Sequence, residues 1–89
     1  MTDQSNKDII CMLQFLKMAL KYCEPYRNIV SMNYEEVDND QVVVISYEHV
    51  VFSENKPYTI ISSFTVDVNA DSNSAIINDV MAAVNYYFN

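Results

Sequence analysis

The 89-residue chain contains no glycine. Glycine is the usual residue wherever backbone must take positive φ or approach a ligand closely, so every reversal here falls to Asn, Asp, Ser and Pro. Phosphate-cradling loops and the glycine-rich dinucleotide fingerprint are excluded on the same ground. Two short clusters of turn residues stand out, "VDNDQ" at 37–41 and "SENKP" at 53–57. The segments on either side of them carry the fold.

Ile9, Leu13, Leu16, Leu20 and Cys23 share one helical stripe, widened by Met12, Phe15 and Met18. Ser5, followed three residues later by Asp8, resembles a capping box, and Pro25 restricts Glu24 to extended geometry. These signals predict a first helix over 6–23. From Tyr26 to Val37 the pattern alternates, with Val30, Met32 and Tyr34 on the inner side. A second strand over 42–52 begins apolar on both faces, as a central strand does, and a third alternates from Tyr58 to Val68. Residues 73–88 read as a second helix whose only charge is Asp79. The order predicts an α+β fold, α-β-β-β-α, with a three-stranded antiparallel meander and two helices on one face. Residues 1–89 are expected to form one domain with a thin core, since a chain this short buries only about 60–65% of its unfolded surface.

The opening "MTDQSNKDII" has no basic cluster, and no uncharged apolar run is long enough to span a bilayer. A cytoplasmic protein is expected. Cys11 and Cys23, twelve apart on one helix, would be roughly 18 Å distant, too far for a bridge. They are read as reduced, buried small side chains.

Charge is unevenly distributed within the total of −7. Residues 1–27 carry Asp3, Asp8 and Glu24 against Lys7, Lys17, Lys21 and Arg27, while the other 62 residues carry nine acids against Lys56. An acidic body repels nucleic acid and anionic membrane, so neither is an expected direct partner.

"DVNADSNSAIIND" at 67–79 has acidic or amide side chains at the first, third and fifth positions of a calcium loop. Ser72 stands where such a loop needs Gly, and Asn78 where it needs a bidentate Glu. The stretch is therefore read as the end of a strand, a turn at Asn69 and Asp71, and a helix capped by Ser72 or Ser74. His49 has no spaced metal ligands and no recognisable nucleophile, and is read as a half-exposed strand residue. No cofactor, metal or catalytic residue is expected, and the chain is not expected to be an enzyme.

Two interaction surfaces remain. Glu35, Glu36, Asp38 and Asp40 crowd the first hairpin, with Glu48 and Glu54 further along, and carboxylates two strand residues apart repeat at about 6.7 Å. These six are the expected contacts to a protein partner with a basic surface. The leading expectation is an inhibitor that occupies the nucleic-acid-binding cleft of an enzyme, replacing phosphates with carboxylates. The analogy, one of size and charge without a shared motif, is with small acidic phage inhibitors that block restriction or CRISPR effectors. The alternative is a structural or chaperone-like homodimer pairing through helix two or a sheet edge. Tyr86, Tyr87 and Phe88 are adjacent and cannot all face one core, so Val80, Met81, Val84, Tyr87 and Phe88 are its expected interface.

Overall fold

The structure, a computed structural model, describes residues 3–24, 26–69 and 71–88, with side chains from Lys7 onward. Its elements run α1 (Asp3–Leu20), β1 (Ile29–Val37), β2 (Asp40–Ser53), β3 (Lys56–Asp67) and α2 (Asn73–Phe88). The strands pair antiparallel in the order β1-β2-β3, giving the expected α+β meander.

Both hairpins close more tightly than the sequence predicts. Val37 pairs with Asp40 and Ser53 with Lys56, so each loop has two residues. All four loop residues hold positive φ: Asp38 at 50°, Asn39 at 68°, Glu54 at 55° and Asn55 at 66°. That is the type I′ pattern, whose twist matches the flanking strands. Asn and Asp tolerate it because their short side chains bond locally, whereas for Glu54 the Cβ clash is uncompensated and costs about 1 kcal/mol or more.

Those turns set the register, and the register sets the faces. Met32, Ile45 and Phe64 lie in one row across the sheet, and Tyr34, Val43 and Val66 in the next. The core gathers Met32, Val43, Ile45 and Val66 with Ile9, Leu13 and Leu20 of α1 and Ile76, Val80 and Val84 of α2. Both helices therefore cover the same face. A fully buried side chain such as Leu13 contributes about 1.5–3 kcal/mol by leaving water.

Several expectations need correction. A bulge between Ile29 and Ser31 turns Ile29 inward and leaves Val30 only half-buried. β1 starts three residues later than predicted, because Tyr26 and Ile29 close turns on Cys23 and Tyr26. α1 ends at Leu20 and tightens into a bond from the Cys23 amide to the Leu20 carbonyl, 2.9 Å. Phe15 and Met18 face solvent, Phe15 at 73% exposure. Both cysteines are exposed and free. The proposed roles of the Ser5 side chain and of Pro25 lie outside the described residues.

α2 begins as expected. The Ser72 hydroxyl accepts from the Ala75 amide at 3.1 Å, the Asn69 side chain accepts from Asp71, and Asp79 reaches back to the Asn69 amide at 2.8 Å. The calcium-like run is thus engaged in a turn and a cap. At the other end of α2, Tyr87 stacks on Phe64 with centroids 4.1 Å apart, and Phe88 meets Tyr47 edge-on at 5.4 Å. The Tyr26 hydroxyl donates to Asn85, tying the α1–β1 connection to the same helix.

Two consequences are measurable. Glu54→Gly should raise stability by about 0.5–1 kcal/mol, since it removes a left-handed clash at the cost of some unfolded-state entropy. A urea midpoint that stays put or falls would contradict that account of the turn. The Tyr47 hydroxyl lies 2.5 Å from that of Tyr87, and this bond, with burial second, raises the Tyr47 phenol above its ordinary 10.0. Its contribution is complete below the unfolded value and is lost as pH rises through the raised one. Thermal melts should decline above about pH 10, and Tyr47→Phe should flatten that decline.

Candidate functional site

β2 has 14 residues, which at about 3.3 Å each span roughly 46 Å, close to the 49 Å length of the molecule. The β1–β2 turn lies at one end of it and the β2–β3 turn at the other. That separation divides the predicted acidic set.

At the first end, Glu35, Asp38 and Asp40 line a shallow depression with Val37, Val42, Val44 and Thr65. Glu35 pairs with Val42 and Val42 with Asp67, so the two acids share a row two strand spacings wide, about 10 Å. This row lies on the sheet face opposite the helices, because Val43 and Ile45 point the other way into the core. An apolar floor is thereby rimmed by four carboxylates. Among the described residues the ion pair Arg27–Glu24 lies elsewhere, at the α1–β1 connection, and no cation pairs with these four.

The other expected contacts fall away from this end. Glu36 points to the helix side, where it accepts a long 3.4 Å bond from the Tyr34 hydroxyl; burial first, then the Glu36 charge, raises that phenol above its ordinary range. Glu48 lines a depression with Lys17, Lys21 and Arg27, a region of mixed charge. Glu54 sits at the far turn. Asp67, at the end of β3, joins the rim through its pairing with Val42.

The predicted pairing surface on α2 is mostly interior. Val80 and Val84 are completely buried in the chain's own core, and Met81 and Phe88 pack against it. Tyr87 keeps a half-exposed ring, and Tyr86 is the outward member of the triplet at 89% exposure.

Three features escape a reading of the sequence. The outer side of α1 and its following turn carry Ile10, Cys11, Phe15, Met18 and Tyr22 at the surface, beside Gln14. Beyond Tyr47, β2 has β3 as its only described strand neighbour, and this two-stranded ribbon displays Val50, Phe52, Tyr58, Ile60 and Ile61. Finally, His49 Nε2 lies 2.8 Å from the Ser62 hydroxyl, a contact between residues thirteen apart that no local spacing signals. The Tyr47 ring lies beside the imidazole, tilted by 32° with centroids 5.3 Å apart. A base beside a hydroxyl is one element of nucleophilic chemistry, yet that chemistry also needs an orienting acid and oxyanion donors, and the described contacts supply neither.

Among the described residues no group of three or more His, Cys, Asp or Glu is placed to hold a metal ion, and no helix is long and apolar enough to cross a membrane. Comparison with protein-family models, with curated proteins and with solved structures gave no match.

The exposed thiols give a direct check on the outer side of α1. Cys11 and Cys23 should both react with a thiol reagent in the native chain, adding two adducts by mass before any denaturant is present. A thiol that reacts only after unfolding would contradict its placement.

Proposed function

We propose that this chain is a small acidic interaction protein, an inhibitor that docks the open end of its sheet onto the basic nucleic-acid-binding surface of a partner enzyme. The observation that carries this reading is the rim of Glu35, Asp38, Asp40 and Asp67 around an apolar floor, with no cation paired to it among the described residues. Four carboxylates held by three strands and a tight turn keep fixed spacing, as phosphates do along a backbone. Rigid placement lowers the ordering cost of binding. The neighbouring Val37, Val42 and Val44 supply apolar contact that a nucleic acid backbone does not offer, which would favour a protein groove over a simple counter-ion layer. A phage or anti-defence setting agrees with the size and charge of the chain, and a cytoplasmic location with such a target.

The mechanism is competition. Long-range attraction speeds encounter, and the short-range match of carboxylates to Arg and Lys holds the complex while nucleic acid is excluded. Both parts weaken with added salt.

The test is displacement of a labelled duplex from a panel of basic nucleic-acid enzymes, including restriction, base-excision and CRISPR effectors, followed by fluorescence anisotropy. Displacement should occur at low salt and fade as salt rises. Replacing Glu35 by Gln and Asp38, Asp40 and Asp67 by Asn should weaken it by about tenfold to a hundredfold. A variant that competes equally well with unchanged salt dependence would overturn the reading.

A further inference from the structure

Three of the chain's five basic residues line one depression. Lys17 and Lys21 reach it from the last turn of α1 and the residue after it, and Arg27 from the α1–β1 connection. The Lys21 amide donates to the Lys17 carbonyl at 3.1 Å, so helical spacing continues past Leu20 and the two ammonium groups share one side. Like charges at that spacing repel each other. The chain has twelve acids, yet among the described residues neither lysine has a carboxylate partner. Arg27 gives one nitrogen to Glu24 at 2.8 Å and keeps further N–H donors in its planar fork. A helix C-terminus favours nearby cations, which accounts for the lysines singly. It does not account for Arg27 arriving at the same place from a different element.

The floor of the depression is apolar. Met18 is exposed beside the lysines, and Ile29 and Val30 come from the start of β1. Neighbours on a regular strand face opposite ways, and the bulge between Ile29 and Ser31 lets both line one depression. Glu48, whose amide donates to the Asn28 carbonyl at 2.9 Å, supplies the single carboxylate of the lining. Three cations and one acid leave a local charge of +2 in a chain of −7. The volume is about 370 Å³, within the range of small-ligand pockets and more than one inorganic ion fills.

We infer that this depression binds a small organic phosphate, its doubly ionised phosphate held by Lys17, Lys21 and Arg27 and its apolar body lying on Met18, Ile29 and Val30. A phosphate monoester carries about −2 at neutral pH, which matches the local charge. Its three terminal oxygens suit three separately placed cations, where a carboxylate offers only two. With no glycine in the chain, backbone cannot cradle a phosphate closely, and side chains take over that task. Glu48 sets selectivity, since it repels an anion that brings no hydrogen-bond donor. The site lies at the opposite end of β1 from the acidic rim, so it stands or falls separately from the inhibitor reading.

The experiment is a magnetic-resonance titration of the nitrogen-labelled full chain with phenyl phosphate and, separately, inorganic phosphate. Ionic strength is held constant at about pH 8, where a phosphate monoester is doubly ionised. Phenyl phosphate should saturate, with amide shifts centred on Lys17, Lys21, Arg27, Val30 and Glu48, and should bind about tenfold tighter than inorganic phosphate, which has no apolar body. Lys21→Gln, an exposed change that keeps helix propensity, should weaken binding by about tenfold or more. Glu48→Gln should tighten it roughly threefold by removing a like charge. Lys7→Gln, equal in charge and about 15 Å from Lys17 along α1, should leave it unchanged, with far-UV circular dichroism as the folding control for each variant. Absence of saturable binding, equal affinity for the two phosphates, or a loss on Lys7→Gln that matches Lys21→Gln overturns the proposal. So does retention on phosphatidic acid vesicles without binding of phenyl phosphate, which would assign the cations to a membrane.

Discussion

The backbone conformation of two two-residue turns governs the rest of the molecule. With Asp38, Asn39, Glu54 and Asn55 all at positive φ, each hairpin reverses in the shortest way available, and no freedom of register is left to the strands. A slip of one residue would exchange the faces of a strand, exposing Val43 and Ile45 and turning Val42 and Val44 toward the helices. The same register aligns Glu35 with Asp67 across β2. Core and acidic rim are two outcomes of one geometric choice, made without the residue that usually makes it.

The chain also separates its charges in space. Lys17, Lys21 and Arg27 gather near the start of β1, while Glu35, Asp38, Asp40 and Asp67 occupy the far end of the sheet, where no basic side chain pairs with them among the described residues. This polarity gives the molecule an oriented field, which steers a charged partner toward one end and not merely toward the protein as a whole.

Much of this was legible in the sequence, because the periodicities were clean. Alternation in 58–68 and the Ser72 cap each follow from local rules. The misses have identifiable causes. The bulge that turns Ile29 inward is a defect in pairing and leaves no mark on composition. Glu54 at positive φ contradicts its own propensity, so nothing local marks the second turn as a two-residue loop; only the pairing of Ser53 with Lys56 does. α1 is apolar nearly all round, so periodicity identified the buried stripe but could not announce that Cys11, Phe15 and Met18 would remain outside. The acidic residues are evident as types and are sorted only by the sheet, which brings Glu35, Asp38, Asp40 and Asp67 together and places Glu36, Glu48 and Glu54 elsewhere.

β2 is one continuous strand in two mechanical settings. As far as Tyr47 it is flanked on both sides and covered by helices; beyond it, β3 is the one strand neighbour among the described residues, and apolar cover is slight. Local opening free energy follows burial and protected hydrogen bonds, so the ribbon can fray while the core stays shut. Amide exchange would then divide a single strand into a slow half and a fast half. The boundary falls at the aromatic group of Tyr47, Phe64, Tyr87 and Phe88, which acts as a clamp: order propagates outward from it, and whatever later covers the ribbon needs only to extend a zipper whose first teeth are already closed.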